Sequence, residues 1–384
     1  VATALFAVVF SASTPLAAFG VFLPALADAF GWSRGAISLA LSINLVLGGL
    51  AAFLVGGLAD RHGPRGVLLV AVVIAGGGIA LASLTRTLWQ LYLFVGVLGG
   101  IGTSGFYVIA ASTVTRWFAH QRGLPLALVL AGFNLSYVTA GPIAAWLIET
   151  AGWRAAYLVF GIAACVIGSA ASLMVVDPPR GATARDVPAP ATHGLTLREA
   201  LADRRLWLLH LCWLLLGTVL FMISAHVVSY ARDRGTRLEI AALLLAAYGS
   251  GAAVGRVVFG ALSDRLGSTP ILRSCFALQI VALAVVPLGP PETVLLAMLA
   301  LFGLGYTGAD TVLVRVIPDV FGLRALGAIT GVLTLGWRVG AAIGPPLAGF
   351  VHDAVGSYTV PFGLAPVILA VAFVVFRVGA TPRR

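Results

Sequence analysis

Twelve stretches of nearly uninterrupted apolar residues divide this 384-residue chain. They are 1–27, 35–59, 66–85, 87–115, 123–148, 155–176, 206–231, 240–263, 274–291, 293–314, 325–351 and 354–376. About 20 apolar residues in helical form cross the hydrocarbon layer of a bilayer. Within lipid a chain must satisfy its own backbone N–H and C=O groups, which a helix does by itself. The pattern predicts an all-α membrane protein with twelve transmembrane helices. Charged residues make up 10% of the chain, against about 25% in soluble domains. The net charge of +10 therefore has no soluble domain on which to form a nucleic-acid-binding face, and no nucleic-acid partner is expected.

The charge instead reports orientation. All 24 basic residues are Arg, which reads as genome composition, most simply that of a GC-rich bacterium. With both termini and the even-numbered connections in the cytoplasm, 16 arginines fall inside, among them Arg61, Arg65, Arg116, Arg265 and Arg315, and 6 fall outside. This bias predicts a multi-pass protein of the bacterial inner (cytoplasmic) membrane with both termini cytoplasmic. The first residue is not Met, so a trimmed N-terminus is expected. No basic n-region precedes the first apolar run, so a cleaved signal peptide is not expected. Cys165, Cys212 and Cys275 lie in apolar runs without CxxC spacing, which predicts neither a disulfide framework nor a metal site. No cofactor is expected.

The chain repeats itself. GGLADRHGPRG (56–66) matches GALSDRLGSTP (260–270) at an offset of 204, placing Asp60 on Asp264. GIGTSGFY (100–107) matches GLGYTGAD (303–310), and AGFN (131–134) matches LGWR (335–338). The expected organisation is an N-terminal six-helix bundle over 1–176, a linker over 177–205 and a C-terminal six-helix bundle over 206–384. Pro178, Pro179, Pro188 and Pro190 mark the linker, and LTLREALADRRLW (195–207) has the pattern of a short amphipathic surface helix. Two pseudo-symmetric bundles predict a substrate site near the midplane and alternating access by rocking.

Ionisable residues inside a membrane are costly, so each is a functional candidate. Arg256, Asp310 and Arg338 are the full set apart from histidines. Arg256 lies eight residues before Asp264 and Asp310 eight before Pro318, which puts both roughly 12 Å from the cytoplasmic helix ends at ~1.5 Å per residue. Arg338 falls near the midplane. The repeat sets Tyr107 against Asp310 and Asn134 against Arg338, so one half offers neutral hydrogen-bonding groups where the other offers charge. Asn44, His226, Tyr248, Tyr306 and Trp337 complete the polar candidates. The charges sum to one net positive, which suits one carboxylate, and an Arg fork can hold a carboxylate through two hydrogen bonds. The plainer alternatives are a static Arg256–Asp310 pair, a hydrogen-bonded core His226 and packing roles for Tyr107 and Trp337.

GGLADRHGPRG resembles the loop between helices two and three of the major facilitator superfamily, G-x-x-x-D-R-x-G-x-R, with a weaker copy after helix eight. FGVFLPALADAFGWSR (19–34), RWFAHQRG (116–123) and GWRAAY (152–157) are similar to the monocarboxylate transporter and oxalate/formate antiporter branch. The resemblance covers essentially the whole chain and implies the major facilitator fold. It also implies Arg256 as a central binding residue on helix eight and Arg338 as a second basic residue suited to a dianion. The branch often carries an Asp one turn before the helix-eight Arg; here that position is Ala252, which leaves Asp310 as the candidate for proton coupling.

Asp60, Arg61, Arg65, Asp264 and Arg265 are expected to form a cytoplasmic conformational latch. The expected function is secondary active transport of small organic anions, monocarboxylates foremost, by proton symport or counter-anion exchange in a functional monomer. An exporter of drug-like or hydrophobic compounds working by proton antiport stands as the alternative. Without Lys there is no G-x-x-x-x-G-K-[ST] loop for ATP, and no Ser/His/Asp or HExxH cluster lies within the spans, so no enzyme is expected.

Overall fold

In the computed structural model of the chain, residues 1–118, 123–176 and 194–380 are described. The proline-rich part of the linker (177–193), half of RWFAHQRG (119–122) and the arginines at the extreme C-terminus lie outside them. The described chain is helical, in the order α1 (Ala2–Ala17), α2 (Phe19–Phe30), α3 (Arg34–His62), α4 (Pro64–Ala82), α5 (Leu88–Leu91), a π-helical segment (Tyr92–Leu98), α6 (Gly99–Thr103), α7 (Phe106–Trp117) and α8 (Gly123–Leu173). There follow α9 (Leu197–Ala202), α10 (Arg204–Asp233), α11 (Leu238–Leu266), α12 (Ser268–Val285), α13 (Glu292–Phe321), α14 (Leu326–Val355) and α15 (Thr359–Gly379). Among the described residues no strand forms beyond one isolated bridge, Gly194 to Gly322.

Eleven of these helical stretches are long and apolar enough to cross a membrane. One of them, Leu128–Leu173, has 46 residues, about 69 Å at ~1.5 Å per residue, twice the hydrocarbon thickness. It is interrupted at Gly152, whose φ of 82° is not helical, so it supplies two crossings and the total is twelve. The repeat is visible in the turns. Gly31 and Gly235, Gly63 and Gly267, and Gly152 and Gly356 each stand 204 residues apart, and all six have positive φ. At Gly63 and Gly267 this conformation closes the turn that follows Asp60 and Asp264, which explains why both copies of the motif carry glycine three residues after the aspartate.

The surface segment 195–207 is a shorter helix than its periodicity predicts. Thr196 and Glu199 form a reciprocal capping box that starts α9, and the extended backbone of Asp203 ends it after six residues. Trp207 belongs to α10 instead, its indole N–H donating to the Leu201 carbonyl. The Leu195 N–H donates to the Phe321 carbonyl and so ties this segment to the end of α13.

Two compact units divide the chain. Unit 1 holds residues up to 183 together with Ser224–Ala246, and unit 2 holds the remainder. The core of unit 1 contains Leu5, Val8, Leu68, Val72, Ile109 and Val114. Segment 224–246 is joined to the first-half helices by close backbone approach: Gly20 and Gly141 stand where a Cβ would meet the carbonyls of Ser224 and Ala242. Arg34 adds a bidentate ion pair to Asp233, with both nitrogen–oxygen distances at 2.6 Å.

Candidate functional site

Unit 2 contains all three intramembrane charges. Helices α11 and α13 touch through glycine: a Cβ on Gly251, Gly255 or Gly303 would meet the backbone of the facing helix. Such small-residue contacts let membrane helices approach to backbone distance. The approach brings Arg256 of α11 beside Asp310 of α13, with a guanidinium nitrogen 3.6 Å from a carboxylate oxygen. That is an ion pair without the short contact of a saturated bidentate bridge. The Arg256 Nε is buried and has no hydrogen-bond partner.

On α14, Trp337 donates its indole N–H to the Tyr306 hydroxyl at 2.7 Å, and Phe221 meets the indole edge-on with ring centres 5.5 Å apart. Tyr306 is buried. Arg338 follows Trp337 in the chain, is half-buried, and has no hydrogen bond or ion pair among the described residues.

Tyr248, also in unit 2, is buried with its ring 5.7 Å from that of Phe302. The other predicted polar candidates lie in unit 1. His226 is fully buried, its Nε2 lying 3.1 Å from the Ser38 hydroxyl. Asn134 is buried without a hydrogen bond to any described residue, while Tyr107 is 58% exposed. Asn44 donates to the Val95 carbonyl at 2.8 Å, inside the π-helical segment. It also lines a small pocket with Pro15, Phe19, Val72, Gly99 and Thr103.

Of the predicted latch residues, Asp264 pairs with Arg315 of α13, which also donates to Ser263 at 3.0 Å. Arg61, Arg65 and Arg265 are exposed and make no ion pair among the described residues, and Asp60 is exposed. Sequence reasoning missed the Arg315–Asp264 and Arg34–Asp233 pairs, since it used Arg315 and Arg34 only in the count of arginines on each side of the membrane. Partners 51 and 199 residues apart leave no local pattern; only the placement of acid and base at helix ends hinted at them.

Paired twelve-crossing topology, a repeated turn motif and ionisable groups inside the spans define a polytopic membrane transporter. The model of the Major Facilitator Superfamily matches residues 5–306 and 238–384, and the chain belongs to that superfamily. It is 30% identical over 372 residues to human "Monocarboxylate transporter 11", spanning 94% of this chain and 78% of that protein. It is 27% identical over 362 residues to Bos taurus "Monocarboxylate transporter 13", spanning 92% and 82%. Among solved structures it resembles a bacterial homolog of the human lysosomal transporter Spinster in an inward-facing, unoccupied conformation. The TM-score is 0.74 at 18% identity, covering 99% of this chain and 91% of that one, and this likeness concerns the fold. The chain is thus a membrane-embedded transporter of small molecules and not an enzyme.

Proposed function

We propose that this transporter moves small organic anions, monocarboxylates foremost, by alternating access coupled to proton symport or anion exchange. The observation that carries the reading is the pair of incompletely satisfied guanidiniums within membrane spans. Arg338 has no partner among the described residues, and Arg256 has Asp310 at 3.6 Å with its Nε unbonded. A cation in a low-dielectric setting is costly unless an anion completes it. A substrate carboxylate is such an anion, and the relatives named as monocarboxylate transporters support that class.

Arg256 is the carboxylate anchor in this reading, and Arg338 selects substrate charge or size. Tyr306 and Trp337 contribute from the same unit. Tyr107 and Asn134 are assigned on repeat correspondence with Asp310 and Arg338, and His226 on its buried polar character. Asp310 couples the cycle: substrate competes for the Arg256 guanidinium, and the released carboxylate takes up a proton. Asp60, Arg61, Arg65, Asp264 and Arg265 form the cytoplasmic latch, to which we add Arg315. The functional halves are 1–176 and 206–384 around the 177–205 linker, in a monomer with both termini cytoplasmic in a bacterial inner membrane, as the arginine bias supports.

Purified protein in liposomes tests the reading with labelled monocarboxylates, dicarboxylates, neutral solutes and hydrophobic cations, each with and without a pH gradient. Monocarboxylate uptake, accelerated by an inward proton gradient or by counter-loaded anion, is expected. Transport confined to hydrophobic cations would transfer the assignment to a drug exporter.

A further inference from the structure

We infer that Tyr306 and Thr307, consecutive residues of α13, are positioning residues that hold the two arginine-bearing helices in place: Thr307 fixes α11 and Tyr306 fixes α14. The kinetic half of the inference rests on the transport reading above; the geometric half does not.

Thr307 is buried, and its hydroxyl lies 2.5 Å from the Ala252 carbonyl on α11 and 3.0 Å from the Gly303 carbonyl on its own helix. A hydroxyl has one proton to donate, and the shorter contact crosses between helices. Ala252 stands four residues before Arg256, and Thr307 three before Asp310. The hydroxyl bond is therefore a rung one turn from the Arg256–Asp310 rung, between helices running in the same direction. In an α-helix the Ala252 carbonyl also accepts the N–H of residue 256, so Thr307 binds the same carbonyl that anchors the Arg256 backbone N–H. The glycine contacts set how closely the helices approach. They leave rotation and sliding to be set by a directional bond, and Thr307 supplies one.

Tyr306 faces the other neighbour. Its hydroxyl accepts the Trp337 indole N–H at 2.7 Å, and the Trp337 carbonyl occupies the place a Cβ on Gly217 would need. Phe221 packs against the same indole, so the ring has two partners and the backbone a third contact, and Arg338 is the next residue. Adjacent residues of one helix thus each bond to a helix bearing an intramembrane arginine.

The test compares Thr307→Val, Thr307→Ser and Tyr306→Phe. The first readout needs no substrate: labelling of Asp310 by a hydrophobic carbodiimide, which reacts with protonated carboxyls, quantified by mass spectrometry. The second is carboxylate uptake, separated into half-saturation and maximal rate. Thr307→Val should raise Asp310 labelling, because a displaced Arg256 withdraws its guanidinium from the carboxylate. It should also raise half-saturation about three- to tenfold, the loss of one buried hydrogen bond. Thr307→Ser should restore both. Tyr306→Phe should leave Asp310 labelling unchanged and weaken a dicarboxylate more than a monocarboxylate.

A role in folding alone would lower the maximal rate through less folded protein and leave half-saturation and labelling untouched. Wild-type labelling in Thr307→Val, or equal changes in the Val and Ser variants, overturns the Thr307 assignment. Equal responses of both substrates to Tyr306→Phe overturn the Tyr306 assignment. If the wild type transports no carboxylate, the transport reading falls while the labelling still decides Thr307.

Discussion

Between Leu88 and Trp117 the fourth span passes through α5, the π-helical segment, α6 and α7, whereas its repeat counterpart runs from Glu292 to Phe321 as the single helix α13. In the fourth span a side chain from a neighbour enters the ladder: the Asn44 amide bonds the Val95 carbonyl, with Gly99 and Gly100 packed on Asn44. A π turn holds one residue more than an α turn, and the repeat offset falls from 204 at Asp60 to 203 at Gly100. In the tenth span the polar bond runs outward, from Thr307 to Ala252, and the helix continues unbroken to Asp310 and beyond. The broken span carries no ionisable residue but Tyr107 and Tyr92 until Arg116 near its end; the continuous one carries an acid beside an arginine. A charge in a low dielectric needs its partner at fixed depth and rotation, which a continuous helix provides and a wide turn relaxes.

The largest effect expected from disturbing the charged side is at Arg256. Arg256→Lys keeps the charge but loses the fork, and Arg256→Gln loses both. Carboxylate uptake should fall by roughly a hundredfold in the Gln variant, the scale of a lost charge-assisted bond pair, with folded protein still recovered. Near-normal uptake by both variants would sink Arg256 as the anchor.

Asp310→Asn next makes the tenth span as neutral as the fourth. Counter-anion exchange should survive while accumulation driven by a pH gradient disappears. Persistent gradient-driven accumulation, or failure to fold, would show that Asp310 does not carry the proton.

Arg338→Asn copies Asn134 onto its repeat partner. It should weaken a dicarboxylate about tenfold more than a monocarboxylate, the difference of one charged contact. An equal loss for both would remove Arg338 as selector.

The smallest effect is expected on the neutral side. Asn44→Ala removes the bond to Val95 and should lower the melting temperature by a few degrees, in line with about 1–2 kcal/mol for a buried hydrogen bond. Substrate preference should not move. A change in preference would mean that the broken fourth span also sets selectivity.

Much of the fold was legible in the sequence. Apolar run length gave twelve crossings, and the structure returns twelve once Gly152 is seen to divide the 46-residue stretch. The motif repeat anticipated the paired glycine turns, because a tight turn after Asp60 or Asp264 requires positive φ wherever it occurs. Hydropathy did not show the break at Ala18 between α1 and α2 or the π-helical segment, since both lie in uninterrupted apolar sequence and depend on what packs against them. The amphipathic pattern of 195–207 ran across Asp203, whose backbone is extended.

Within the candidate site, the cost of a charge in lipid picked out Arg256, Asp310 and Arg338 from composition alone, because such residues have few reasons to be there. Which of them pair was a matter of rotation about helix axes, and sequence spacing carries that only within one helix. The closeness of Arg256 to Asp310, the transfer of Asp264 to Arg315, and the engagement of His226 with Ser38 all join residues more than 50 positions apart. The sequence determined how many times the chain crosses the membrane, where it turns and which residues are too costly to be incidental, since these follow from solvent and backbone. Tertiary structure decided which costly group meets which, because backbone-level contact at Gly251, Gly255 and Gly303 and the directional bond of Thr307 exist only once α11 and α13 have met.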